Sequence, residues 1–470
     1  MTPAEPAPAL AYHVADHLRA PGPWDVFAER SRRYEIHLNG RSVELVRGPI
    51  LLEGYGVRVF RAHDGATGVG FQASTDPSPA GLEAVIADAE TLSRQSTFPA
   101  KQIELPSEGP GTFPSEGLRD TRLWDRPMEA VEEYVAALLR AFDGLNDVVP
   151  SFGSVRATLT ETSLANSAGL RAGFTHTQIW SELALKAHGG PEGRPPGEYW
   201  VNDLVRRLEP AAIADKVRAW AQYARDVRVA TAPPTGDLPV VLPPSVAASI
   251  LPQVLGTRFT GGARLREIAP EVGSPWAHES VTIHDDGMLP WAVNSAPIDD
   301  EGTRHRRRTL LDHGKVTELL YDVRYSGVYG LPSTGNAVRG RGIVSQDWRR
   351  FLHAPADTST TIVVEPGTGG SDTELIEAAH DGIWVQQLGW AVPDPISGAF
   401  GGEIRIGYRI RNGKLAEPVR GGTVGGVVLA PSGGASLLNN LSGIGSRSEL
   451  TDQLSTPTLL VTPLTVSGTA

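Results

Sequence analysis

One segment constrains the fold more than any other: Ser245-Val-Ala-Ala-Ser-Ile-Leu-Pro252-Gln253-Val-Leu-Gly256-Thr257-Arg-Phe259. Ala247, Ile250, Leu251, Val254 and Leu255 fall on one helical stripe, and such a stripe belongs against a core. Pro243 and Pro244 precede it, and Ser245 is the expected N-cap. Pro252 stands too deep for a first-turn proline of that helix. It removes one backbone donor and its ring meets the carbonyl of Ala248, so the helix is expected to kink or break there.

Upstream, hairpins and amphipathic helices follow one another. Tyr34–Leu38 and Val43–Val46 alternate apolar and polar residues around Asn39-Gly40, a pair favoured in type I′ hairpins. Asp64-Gly65 turns a second hairpin between Gly56–Phe60 and Gly68–Phe71. Ser78-Pro79 caps a helix whose apolar face is Leu82, Val85, Ile86, Ala89 and Leu92. Gln102 to Arg122, rich in proline, glycine and serine, reads as a connector. A helix capped near Asp125 buries Val131, Tyr134, Val135, Leu138 and Phe142, and another carries Ile213, Val217, Trp220, Ala224 and Val227. Between them Ser154–Glu161 reads as a strand that ends in the turn Asn166-Ser-Ala-Gly169.

Thr231–Gly236 interrupts this pattern and is the expected boundary. Beyond the organising helix the chain is glycine-rich and strand-prone: Ser280–His284, Thr361–Val364, Gly382–Val385, and Gly402–Ile410 before the turn Asn412-Gly413. A chain of 470 residues is long enough for two cores. The expected fold is α+β, with an N-terminal α/β domain of hairpins and packed helices over residues 1–235. Residues 236–470 form a β-rich C-terminal domain with a partly closed antiparallel sheet.

Charge and composition narrow the functions. A formal net charge of −11 argues against general affinity for nucleic acid or an anionic membrane. Arg304-His-Arg-Arg-Arg308 is a local exception and reads as a solvated loop. Zero cysteines remove disulfides, thiolate nucleophiles and cysteine-ligated zinc. Met1–Pro6 has neither the basic nor the apolar region of a signal peptide, and no run approaches the roughly 20 apolar residues of a membrane helix. A cytoplasmic protein is the expectation.

Motifs that carry chemistry are sparse. Gly-x-Ser-x-Gly is absent, with Leu331-Pro-Ser333-Thr-Gly335 the nearest approach. Gly314-Lys315 and Gly413-Lys414 lack the rest of a phosphate-binding loop, and Gly421–Gly426 has no strand–helix context. Two acidic clusters remain, His284-Asp285-Asp286 and Asp299-Asp300-Glu301. Carboxylate oxygens beside an imidazole suit a divalent ion. Gly287 and Gly302 follow directly, however, and aspartates that close Asx-turns are the favoured reading. No two of the 12 histidines have helical zinc spacing.

From residue 245 onward a series of segments resembles the TldD/PmbA metallopeptidase family. They are Val281–Gly287, Asp299–Gly302, Leu310–Val316, Leu319–Asp322, Pro332–Arg339, Ser397–Phe400, Ile410–Lys414, Pro418–Gly421 and Thr456–Val461, in that order. The N-terminal half matches more loosely, through the paired hairpins, Gly56-Val-Arg-Val59 and Leu164–Gly169. The resemblance implies an α/β N-terminal and a β-rich C-terminal domain. The metal-bearing TldD branch carries His-Glu-x-x-x-His on the organising helix, where this chain has Pro252, Gln253 and Thr257. TldD completes its site with a cysteine near the C-terminus, and this chain has none between Gly445 and Pro457. The chain therefore sits with the TldE/PmbA branch, which lacks the motif and joins TldD in a heteromer.

The resemblance accordingly implies a non-catalytic subunit with no metal and no cofactor, whose partner is a TldD-like metallopeptidase chain acting on small or unfolded peptides. A divergent, metal-free enzyme or a homo-oligomeric peptide-binding protein of a specialised peptide or natural-product pathway is the alternative. Pro332–Arg339 is the expected peptide contact: Thr334 and Gly335 shape the turn, Asn336 offers donor and acceptor, and Arg339 suits a carboxylate. The competing reading is an ordinary turn with Arg339 paired to Asp299 or Asp300.

Overall fold

The computed structural model describes residues 9–20, 22–107, 111–112, 116–189, 195–340 and 349–468. Met1–Pro6 and part of the expected connector lie outside them.

The fold is α+β. A seven-stranded sheet runs in the order Ala66–Ser74, Ser42–His63, Trp24–Asn39, Val148–Asn166, Arg171–Ala187, Gly111–Thr112, with Gly197–Val205 also pairing Arg171–Ala187. Only the Gly111–Thr112 contact is parallel. Helix Pro79–Gln95 buries Leu82, Val85 and Ala89 on one part of this sheet, and its Ser78 cap accepts the Gly81 N–H at 3.2 Å. Helices Pro127–Arg140 and Ile213–Val229 cover another part with Val131, Val135, Leu138, Val217 and Ala224. Two details of the sequence reading change. The side-chain cap belongs to Asp120, on the short helix Thr121–Asp125. Leu92 is 41% exposed because Ala89 and Ser93 take the sheet-facing positions of that turn, against Gly70 and Gly68.

Glycine decides two of the turns. Asn412-Gly413 forms the two-residue hairpin expected, with φ +48 and +71. In the first hairpin Asn39 pairs Ser42, so the loop is Gly40-Arg41 and not Asn39-Gly40. Glycine's freedom at φ +57 draws the turn one residue onward, and a bulge beyond His37 absorbs the shift.

A second seven-stranded sheet uses residues from 236 onward. Its order is Gly382–Gly389, Gly236–Leu242, Leu459–Ser467, Thr423–Val427, Ala399–Arg411, Lys414–Val419, with Leu441–Ile444 also pairing Leu459–Ser467. Because Gly382–Gly389 also pairs Ala399–Arg411, the strands curl back into a partly closed barrel. The Gly382–Gly389 to Gly236–Leu242 contact is parallel, so the sheet is mixed rather than wholly antiparallel. A six-stranded sheet lies beside it and contains Ile283–Asp286, Arg307–Asp312 and Ile362–Val364. One apolar core joins both sheets to the organising segment, through Val254, Leu255, Ile283, Ile362 and Val461. None of the described helices is long and apolar enough to cross a membrane.

Candidate functional site

The organising segment folds as two helices, Pro244–Ala248 and Leu251–Arg258, separated at Ser249 and Ile250. The break comes just before Pro252, which thereby becomes a first-turn proline whose missing N–H leaves nothing unmade. Pro243, not Ser245, occupies the first cap, since Pro244 already has the fixed φ of a helical first residue. Ala247, Ile250, Leu251, Val254 and Leu255 are all buried. Pro252, Gln253 and Thr257 lie on the half-buried face of the second helix. Its C-terminal turn is held close: the Gly256 carbonyl accepts Thr358 Oγ1 at 3.0 Å, and a Cβ at 256 would stand 2.6 Å from Ser359 Oγ.

These three side chains do not fit zinc. Proline's nitrogen is an amide nitrogen with no lone pair to give. Gln253 is a neutral amide, unable to deprotonate metal-bound water, and a threonine hydroxyl is a poor ligand beside imidazole, thiolate or carboxylate. The C-terminal hairpin Glu449–Thr451 and Leu454–Thr456 turns at Asp452, which burial and Asp203 push up to about 6. Among the described residues no three His, Asp or Glu side chains converge as a metal group.

The two acidic clusters occupy separate places. Asp285 accepts Thr360 Oγ1 at 2.9 Å, the Thr360 N–H, and Asn336 Nδ2. Asp286 closes an Asx-turn on the Met288 N–H at 3.0 Å. His284 contacts Glu365 through Nε2 at 2.7 Å and Thr309 Oγ1 through Nδ1 at 3.1 Å. Asp299 accepts three backbone N–H groups, those of Glu301 (3.0 Å), Thr303 (2.8 Å) and Ala337 (3.0 Å). The basic run nearby is largely engaged too, through Arg307–Glu365 (3.3 Å) and Arg308–Glu318 (2.9 Å).

The turn at 299–301 belongs to a buried ion network that the sequence reading missed. Arg58 is 1% exposed, donates Nε to Asp25 at 2.9 Å and meets Glu301 at 2.6 Å. Arg350 joins Glu29 at 3.3 Å to Asp300. Arg339 donates its backbone N–H to Asp300 (2.6 Å) and its guanidinium to the His353 carbonyl (2.7 Å), and lies 3.5 Å from Asp25. Burial pushes Glu29 and Glu301 each up to about 7, against the pull of their arginines. The network ties the first sheet to the loops after residue 299. Asp25 and Glu29 share one face of their strand, and Asp25 stands opposite Arg58 in the pairing register. That charged alternation inside apolar runs is the only signal the sequence offered.

The expected peptide loop is also inward-facing. Thr334 Oγ1 donates to Asn336 Oδ1 at 2.8 Å, and Asn336 Nδ2 also reaches the Thr358 carbonyl at 3.3 Å. Asn336 and Arg339 are each 1% exposed. Gly335 has φ +78, and a Cβ there would fall 2.5 Å from the Arg304 carbonyl oxygen. Contact with a peptide through these side chains requires the loop to open. Between the first sheet and the 299–301 turn lies a cavity of about 90 Å³, lined by Glu29, His176, Arg206, Asp300, Arg350 and Gln453 among others.

Residues 235–468 match the C-terminal domain of the PmbA/TldA metallopeptidases, and residues 24–93 match domain 1 of the same family. The chain belongs to the PmbA/TldD family. Among PmbA/TldD relatives, a metalloprotease TldD homologue from Haemophilus influenzae is 27% identical over 47% of this chain and 43% of its own length. A metalloprotease from Methanothermobacter thermautotrophicus is 27% identical over 51% of this chain and 49% of its own. The chain thus spans less than half the length of these curated relatives. TldE from Thermococcus kodakarensis shares the fold with a TM-score of 0.76 at 20% identity, covering 98% of this chain and 99% of its own. A Bacteroides thetaiotaomicron protein described as a modulator of DNA gyrase has a TM-score of 0.78 at 18% identity, with 98% of each chain covered.

Proposed function

We propose that this PmbA/TldD chain is a non-catalytic, TldE-like subunit that assembles with a metal-bearing TldD-like metallopeptidase and acts with it on small or unfolded peptides. One observation carries the reading: the Leu251–Arg258 helix keeps its buried face, while the positions that the resemblance assigns to the family's ligands and base hold Pro252, Gln253 and Thr257. A retained scaffold with no zinc-competent side chains supplies surface rather than chemistry. The net charge of −11 gives a nucleic-acid partner no support. The test is reconstitution. This chain and a TldD-like chain from the same source are assayed for peptide turnover, separately and mixed. Turnover only by the mixture, with co-elution, supports the proposal; turnover by this chain alone refutes it.

A metal-free enzyme is the second reading, and one contact favours it. Thr309 Oγ1, His284 and Glu365 form a hydroxyl–imidazole–carboxylate relay at 3.1 and 2.7 Å. Loss of an activity of the isolated chain in Thr309→Ala and His284→Ala, at unchanged melting, would establish it.

A further inference from the structure

We propose that the cavity between the first sheet and the 299–301 turn binds a carboxylate group, carried by a small free acid or by the C-terminus of a short peptide. The proposal does not depend on the pairing proposed above. At about 90 Å³ the cavity exceeds the roughly 10–15 Å³ that one water requires. Its chemistry favours an anion. Arg206 is buried in the wall and donates to the carbonyls of Leu118, Thr177, Ala292, Val293 and Ser295. Among the described residues it has no carboxylate partner, so its hydrogen bonds are made while its charge stays uncompensated. Burial and Arg350 accordingly pull it down to about 9. An anion in the cavity would compensate the charge of Arg206, whereas Arg350 already has Asp300 and Glu29.

Two further wall groups have a hydrogen-bonding atom to offer. His176 Nδ1 and Glu29 Oε2 are buried with no hydrogen-bond partner. Burial, Arg206 and Arg350 hold His176 neutral, so one ring nitrogen carries a proton to donate. Glu29 faces Arg350, Asp300 and Arg339, and burial lifts it to about 7. Below about pH 7 it therefore holds an O–H that can donate to a carboxylate. Arg206, Arg339 and Arg350 line the space together with Glu29, Asp299 and Asp300, but Arg339 and Arg350 already have carboxylate partners, so the charge left to compensate is that of Arg206. The result is one uncompensated cation beside two buried polar atoms that still lack a partner, at the inner face of the sheet.

The experiment is thermal melting of the full chain at constant ionic strength, titrated with acetate, L-alanyl-L-alanine or L-alanyl-L-alanine amide, with chloride as control. Acetate or the dipeptide should raise the midpoint saturably, while the amide should not. Tighter binding of the dipeptide by tenfold or more assigns the site to a peptide terminus, and equal binding assigns it to a small acid. Affinity should fall about tenfold per pH unit above pH 7 as Glu29 ionises, and Glu29→Gln should remove that dependence. His176→Gln should weaken binding at least fivefold while the ligand-free midpoint stays within a few degrees. Should that variant not fold, crystals of the native chain soaked in acetate decide, with carboxylate density beside His176 expected. No saturable shift with either acid, equal binding of the amide, or carboxylate density only elsewhere overturns the proposal.

Discussion

Replacing Arg58 with Met is the sharpest test of the buried ion network. The guanidinium is 1% exposed and serves Asp25 at 2.9 Å and Glu301 at 2.6 Å, so a methionine of similar length keeps the packing and removes the charge. Asp25 retains Arg339 at 3.5 Å, but Glu301 retains only the Val323 N–H at 2.8 Å. A buried, unpaired carboxylate takes up a proton rather than remain charged. With Arg58 in place Glu301 already sits near 7, well above its unfolded value near 4.5, so a proton fixed there at pH 7.5 adds only about 1 kcal/mol, at ~1.4 kcal/mol per pH unit. The larger share is the ~3–5 kcal/mol typical of breaking one side of a buried pair, felt mainly at Asp25. At pH 5 Glu301 is protonated with or without Arg58, and that ~1 kcal/mol disappears. Urea unfolding followed by the fluorescence of the 10 tryptophans should show a loss of about 4 kcal/mol at pH 7.5 that shrinks by ~1 kcal/mol at pH 5. Arg58→Met with Glu301→Gln should recover part of the loss at pH 7.5. A loss under ~1 kcal/mol at pH 7.5, or one that does not change with pH, would refute the reasoning.

Three further outcomes follow from the same structure. Elemental analysis after dialysis should find well under one zinc per chain, and placing His at 252 and 257 and Glu at 253 should not restore it, since the third ligand is still missing; near-stoichiometric zinc in the native chain would contradict this. Glu29 and Glu301 have folded values near 7, above their unfolded ones near 4.5, so their contribution is full below pH 4.5 and lost as pH rises through 7. Melting midpoints should therefore fall between pH 5.5 and 8, and Glu29→Gln should flatten the slope. Gly335→Ala should cost about 2 kcal/mol or more, because φ is +78 and the Arg304 carbonyl blocks a Cβ, whereas Gly169→Ala at φ +95 meets nothing and should cost ~1 kcal/mol.

What the sequence disclosed depended on how local the cause was. Asn412-Gly413 set its own backbone, and the hairpin followed. Pro252 announced a break in the helix, and the chain placed that break two residues earlier so that the proline could begin a new one. The apolar stripe from Ala247 to Leu255 was legible because periodicity alone predicts burial. The ion network was not. Asp25 and Arg58 come from one hairpin, but Glu301, Arg339 and Arg350 come from distant parts of the chain, and nothing in any one segment marks them as partners. A lone arginine between Val57 and Val59 reads as a solvent-facing strand residue until the loops that cover it are known.

The acidic clusters show why residue type alone is a weak guide to a metal site. A divalent ion needs carboxylate lone pairs that are free and directed at a common point. At Asp299 three backbone N–H groups already take those lone pairs, and at Asp285 the Thr360 N–H, the Thr360 hydroxyl and the Asn336 amide do. Binding a metal at either would strip about three hydrogen bonds to a charged acceptor, each worth roughly 1.5–3 kcal/mol, and leave buried donors unpaired. Those same donors hold the Ala337 and Thr360 backbones in place, so the carboxylates act as anchors for the strands around them. The Pro332–Arg339 loop owes its position to both, through Asn336 on Asp285 and Ala337 on Asp299. The polar residues most suggestive of chemistry in this half of the chain therefore fix its backbone.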